Sequence, residues 1–474
     1  MNRHSLTALA ALTIAAAAPL SAQEFDRRQP PVLAKPSDLA VPRVETATLP
    51  NGITITLVEM HEVPLVQITA RLKGGARLDG AIPGLATFTA DMLTEGAGSR
   101  NAAAISAQAA YLGATLRSGA DWDDLAVSLN TPMRTLDSAL ALMSDVVLRP
   151  PFHTQDVVRQ RDLRQADIAQ QKDEPEGMAF LTLGAVLFPE SHPYHRPIGG
   201  DSAGTALLDS ATVRRFYTMV ARPDQVDFIV TGDISLAQAQ KAIAARFGAW
   251  PRAARSGAKP YMPPPIEAPA ARTLFLVDKP GAAQSVIIIG APGVARSNPD
   301  YAAIEVMNTI LGGSFSSRLN QNLRESHGYT YGAQSFYQYH PIPGPFLAVA
   351  SVRTEVTDSS LIQFFLELNR IRDTAVTAVE LERARNYIGL GYPGQFETTG
   401  QMAQKVGEML TFGLPATTFR DYVRSVGQVT AADVQRVARQ YFDPARVDVV
   451  VVGDVSKVRA GIEALGLGAI ELRQ

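Results

Sequence analysis

The 474-residue chain contains no cysteine. That excludes disulfides, thiol nucleophiles, thiolate metal ligands and a lipid anchor on an N-terminal cysteine, and it leaves an oxidising compartment tolerable. An excess of charge is missing as well: 44 basic residues face 46 acidic ones, for a net charge of −2. No global field would draw the chain to nucleic acid or to an anionic membrane, so no nucleic-acid partner is expected. Phosphate binding lacks its signature, because no Gly-Lys-Ser or Gly-Lys-Thr follows the glycine pair Gly312-Gly313. No nucleophile elbow signals a Ser/His/Asp arrangement. One uncharged run stands out, "SLTALAALTIAAAAPLSA", which follows Arg3 and His4 and precedes the polar "QEFDRRQP". It is too short and too alanine-rich for a stable membrane span. It reads as a signal peptide over residues 1–22, with the mature chain starting near Gln23, no span in that mature chain, and a 23–43 extension before the first domain. The expected location is the periplasm, with secretion as the alternative.

What is present describes a globular protein: 46% apolar and 19% charged residues, in a chain long enough for two to four domains of usual size. The chain repeats itself. "SATVRRFYTMVARPDQVDFIVTGDIS" (Ser210 to Ser235) aligns without a gap on "AADVQRVARQYFDPARVDVVVVGDVS" (Ala431 to Ser456). Each copy reads as a helix, a turn with Pro223 or Pro444, and a β-branched strand stopping at Gly-Asp. Between the copies, "SGAKPYMPPPIEAPAAR" (256–272) has the Pro and Ala content of an exposed, semi-rigid linker. Both halves open with alternating strands, "ETATLPNGITITLVEM" and "PLVQITARLKGG" in one, "RTLFLVDKP" and "QSVIIIGAPG" in the other. Helical stretches follow each time. The expected fold is α+β: two homologous tandem domains, 44–255 and 273–474, each a mainly antiparallel sheet packed with helices.

The residues that follow those strands resemble a known family. "GLATFTADMLTEGA", "YLGATLRSGADWDD", "MSDVVLRPPF", "KDEPEGMA", "HPYHRPIGG" and above all "GGSFSSRLNQNLRESHGYTYG" (Gly312 to Gly332) are similar to the pitrilysin/insulinase-like zinc peptidases and their catalytically silent relatives. The resemblance covers nearly the whole mature chain. It implies two homologous domains forming a half-clamshell, two of which close around an unfolded peptide.

In active members a first-domain helix carries H-x-x-E-H, whose imidazoles hold zinc and whose glutamate activates water. Laid on that pattern, Thr87 takes the first histidine position, Ala90 the glutamate and Asp91 the second histidine. The third ligand, a glutamate on a later helix, would fall around Ala166 and Asp167, where there is none. All the metal roles are vacated, so no metal or other cofactor is expected in this chain. His192 and His195 do not replace them: Pro193 and Pro197 make their segment a turn, read as a surface turn in preference to a metal site. His61, His153, His327 and His340 are scattered.

The second half keeps what the first has lost. Arg324 and Tyr331 stand at the two positions where the resemblance places an arginine and a tyrosine reaching the zinc site from the opposite domain. A guanidinium and a phenol are suited to hold a peptide carbonyl and the charge that grows on it. Taken alone, Arg324 reads as a surface helix charge and Tyr331 as the first aromatic of a strand; the family spacing is what points to the other role. Gly312 and Gly313 resemble the substrate-side glycine loop of processing-peptidase α-subunits, although helix termination explains two glycines as well. The resemblance therefore implies a subunit inactive by itself. It would supply Arg324 and Tyr331 to a homologous H-x-x-E-H partner that carries the zinc, the two together acting on unfolded peptides. The alternative is a structural or peptide-binding scaffold.

Overall fold

The computed structural model describes residues 43–252, 263 and 266–473. The expected signal peptide, nearly all of the 23–43 extension and most of the 256–272 linker lie outside them.

Two six-stranded sheets carry the chain, one per half. Across the first, the order is Val44–Thr48, Thr54–Glu59, Val226–Gly232, Leu65–Lys73, Asp124–Pro132 and Thr115–Ala120. Across the second it is Thr330–Tyr337, Pro345–Arg353, Gln284–Pro292, Asp448–Gly453, Thr273–Asp278 and Ala469–Arg473. Five strands of each sheet correspond one to one, and pairing is antiparallel except between Thr54–Glu59 and Val226–Gly232 and on both sides of Thr273–Asp278. The edges differ. In the first half a hairpin strand runs antiparallel to its neighbour, whereas in the second the C-terminal strand runs parallel.

The two opening runs of each half are not neighbours in their sheet. Val226–Gly232 inserts between Thr54–Glu59 and Leu65–Lys73, and Asp448–Gly453 inserts between Thr273–Asp278 and Gln284–Pro292. Alternation in sequence marks a strand but carries no information about its neighbour, and these late strands are the repeat's most hydrophobic runs. Both are buried along their entire length, as central strands covered on two faces require. The glycine that ends the first has φ +134°, and a Cβ there would lie 2.1 Å from the carbonyl oxygen of Leu65. Only glycine fits that crossing.

The second face of each sheet is covered by the opposite half. Helix Pro175–Leu187, started by a proline at its first turn, lays Ala179 and Leu183 on Phe275, Val286, Ile288 and Val450 of the second sheet. Helix Thr399–Phe412 returns the exchange. Its Thr399 carbonyl accepts from the Thr231 hydroxyl at 2.6 Å, and Arg71 donates to Thr411 Oγ1 at 2.8 Å. The expected 44–255 segment thus contributes one helix to its neighbour's core. The two halves are built into each other.

Candidate functional site

The helix expected to have lost its metal groups spans Leu85–Leu93, and Gly84, at φ +85°, introduces it. Leu85, Phe88, Met92 and Leu93 are buried against the sheet. Asp79 holds the helix start, its carboxylate accepting from the backbone N–H of Gly84 at 2.7 Å and of Ala86 at 2.8 Å. Burial pushes Asp79 up to about 7, against those N–H groups and nearby Arg164. Ala90 is fully buried, and its carbonyl accepts from Ser118 Oγ at 2.7 Å. At the expected base position there is only a packed methyl group.

The face of Thr87 and Asp91 is occupied by an arginine. Arg164, on helix Thr154–Asp173, donates through one terminal nitrogen to Thr87 Oγ1 at 2.8 Å, to Gly199 O at 3.1 Å and to Gly84 O at 3.3 Å. Its other terminal nitrogen pairs with the Asp91 carboxylate. The guanidinium also lies 5.3 Å from the centre of the Phe88 ring. These residues do not fit a metal: one position is a hydroxyl, one a methyl, and the single carboxylate is taken by a resident cation. Among the described residues no three His, Cys, Asp or Glu side chains come together as a metal-binding group. The later helix reaches this face through Arg164. The expected Ala166 and Asp167 point elsewhere, since both are exposed and Asp167 lines the cleft described next.

Tyr331 stands on that cleft, which has a volume near 1530 Å³. One wall is the junction between the two first-half helices, with Asp167, Glu174 and Glu176; the other carries Lys279, Tyr331 and Arg353. Tyr331 is 90% exposed for a local reason. Thr330 pairs with Val352 and Ala333 with Ala350, so Tyr331 and Gly332 together oppose the single residue Ser351. This is a β-bulge, a device that re-aims side chains. The Thr330 hydroxyl secures it, donating to Ser351 O at 2.7 Å and accepting from Gly332 N at 3.1 Å.

Arg324 lies in a π-helical segment, Asn320–Ser326, just before that strand. Its guanidinium stacks 4.4 Å from the ring centre of exposed Phe315 and lies 3.6 Å from Glu325 Oε1. It is not among the residues lining the cleft. Gly312 and Gly313 form the end of a second π-helical turn, Thr309–Gly313, and not a flexible joint. A Cβ on Gly312 would meet Ser335 N at 2.4 Å, so its glycine is demanded by contact with the strand of Tyr331. Two π-helical turns in succession before one strand are unusual, and such turns are frequent at functional sites.

The expected surface turn of the histidine pair is buried in part. His192 is 2% exposed, stacked 4.9 Å from the centre of the Phe188 ring, and its Nδ1 accepts from Tyr194 N at 3.1 Å. Burial pulls it down to about 4. His195 donates from Nδ1 to Phe188 O at 2.8 Å. Proline on either side does mark the turn, but the neighbouring aromatics Phe188 and Tyr194 are the signal that it packs inward. His61 bridges Asp233 at 2.7 Å and Glu59 at 3.2 Å, which raise its pKa.

Comparison with known proteins bears on the family and the fold. The family model for the insulinase peptidases (M16) matches residues 57–200, and one described as the peptidase M16 inactive domain matches residues 208–388. An uncharacterized zinc protease of Mycobacterium leprae is 27% identical over 326 residues, covering 66% of this chain and 72% of its own. A second, from Streptomyces coelicolor, is 24% identical over 406 residues, covering 84% and 86%. The crystal structure of a peptidase M16 inactive domain from Pseudomonas fluorescens superposes with a TM-score of 0.80 at 26% identity, over 87% of this chain and 98% of that one.

Proposed function

The chain belongs to the insulinase-like (M16) peptidase family, and on that premise we propose that it is the non-zinc-binding subunit of a heterodimeric zinc peptidase acting on unfolded peptides. It presents Arg324 and Tyr331 to the active site of a homologous H-x-x-E-H chain. The observation that carries this reading is the contrast between the two halves. The metal face is filled by Arg164, while a bulge holds the Tyr331 phenol out over an open cleft. The metal and the attacking water belong to the partner. This chain contributes donors: the phenol O–H and the guanidinium hold the peptide carbonyl and the negative charge that develops on it. Gly312 and Gly313 form the turn on the substrate side, and Gly312 packs against the strand of Tyr331. The periplasm is the compartment we assign to the pair, from the N-terminal pattern alone.

Mixing the purified chain with its H-x-x-E-H homologue and following cleavage of an unstructured peptide tests the proposal. Removal of this chain should abolish cleavage, and Arg324→Ala or Tyr331→Phe should each lower kcat about 10²–10³-fold, the usual loss for one such donor. Cleavage that persists without this chain, or losses below about tenfold, would sink the assignment. One observation favours the scaffold alternative: Arg324 is stacked on Phe315 and lies outside the cleft that Tyr331 lines. On that reading both substitutions leave cleavage unchanged while the chain still binds peptide.

A further inference from the structure

We propose that Arg164 is a built-in replacement for a metal ion: it locks the emptied site and excludes zinc from this chain. A metal in such a site cross-links two helices through a positive charge held by several donors. The Arg164 guanidinium does the same. It joins helix Thr154–Asp173 to Thr87 and Asp91 on helix Leu85–Leu93, to the carbonyl of Gly84 that precedes that helix, and to Gly199 in the loop beyond helix Pro175–Leu187. Its side chain is only 15% exposed, and Phe88 covers one face. A guanidinium is always charged and carries five donors in a fixed plane, so it meets three oxygens and a carboxylate at once.

Two consequences follow. The fold needs no metal at this point, because the cation that joins these elements is a side chain of the protein itself. Zinc is also repelled, since an incoming dication would have to displace a permanent cation from its carboxylate. Asp167, three residues on along the same helix, lines the Tyr331 cleft, so the lock also fixes one wall of that cleft. The inference stands apart from the partner-subunit reading, and its test uses this chain alone.

The test compares zinc content and melting temperature of the full chain with and without zinc. Wild type should retain no zinc after dialysis, and its Tm should be the same in zinc and in chelator. Arg164→Met, which keeps length and loses charge, should lower Tm by several degrees, roughly 4 °C or more. Thr87→His with Asp91→His installs two imidazoles beside the retained guanidinium, and this pair should still take up no zinc. Adding Arg164→Glu should give roughly one zinc per chain and a zinc-dependent rise in Tm. If this triple variant folds only when zinc is present, that also supports the proposal, because the metal has then taken over the cross-link. Three results overturn it: stoichiometric zinc in the double histidine variant, no zinc in a folded triple variant, or an Arg164→Met Tm equal to that of wild type.

Discussion

Gly312 lies so close to Ser335 that a Cβ added to the glycine would sit 2.4 Å from the serine nitrogen and 2.5 Å from its hydroxyl oxygen. The contact presses a π-helical turn onto the strand that begins beside Tyr331. The backbone of a paired strand cannot give way as a side chain can, so Gly312→Ala forces the turn and the strand apart. Overpacking of this kind costs about 1–3 kcal/mol. At Gly313 the nearest obstacle is the amide end of Asn308, at 2.9 Å, which has more freedom to move. Chemical denaturation should therefore find Gly312→Ala clearly less stable than Gly313→Ala. Equal losses would show that the strand contact is not what requires the glycine.

That glycine also shows where sequence reading stops. A Gly-Gly pair fits a hinge, a helix stop or a close crossing equally well, and only the position of Ser335 decides among them. The duplicated fold was legible because β-branched runs ending in Gly-Asp occur twice in register, and the resemblance then identified the emptied helix. Arg164 was not legible. Its helix buries only Val157 and Ile168, so no apolar stripe in the sequence orients it, and nothing indicates that residue 164 faces the emptied site. The helix exchange was hidden for a different reason. Strands that are apolar throughout announce that both faces are covered, but not which part of the chain covers them.

The exchanged helix makes its own prediction. Leu183 is buried at 3% exposure, and its Cδ1 lies 2.6 Å from where a Cβ on Gly290 would be. Leu183→Ala should cost about 2–5 kcal/mol, the range for a buried leucine whose cavity is partly retained. Because Leu183 belongs to the first half and its pocket to the second, the loss should appear as one cooperative transition shifted to lower denaturant. A separate early transition of one half would contradict the mutual packing.

Asp79 offers a test of the helix start. Its two carboxylate oxygens satisfy the N–H groups of Gly84 and Ala86, donors that no helical carbonyl reaches. Asp79→Ala should destabilise the protein by about 1–2 kcal/mol, as for other lost N-terminal caps. Hydrogen exchange should locate the effect: amides of residues 84–88 lose protection while those of strand Val226–Gly232 keep theirs relative to global stability.

His192 predicts a pH dependence with a definite sign. Its Nδ1 accepts from Tyr194 N, so the neutral ring carries its proton on Nε2, which is buried without a hydrogen-bond partner. Protonating Nδ1 would break that bond and place a charge among Phe188, Tyr194 and Trp122. The folded chain therefore holds the ring at about 4, from an ordinary value of 6.5. The unfolded chain binds the proton first as pH falls. Stability tied to this residue is complete above about 6.5, declines between 6.5 and 4, and is constant below 4. His192→Asn keeps an acceptor for Tyr194 N but does not titrate. The stability difference between wild type and His192→Asn, from urea titrations across that window, should move in favour of the variant by about 3 kcal/mol as pH is lowered. A difference that does not change with pH would mean that the ring is protonated in the fold, with its proton satisfied.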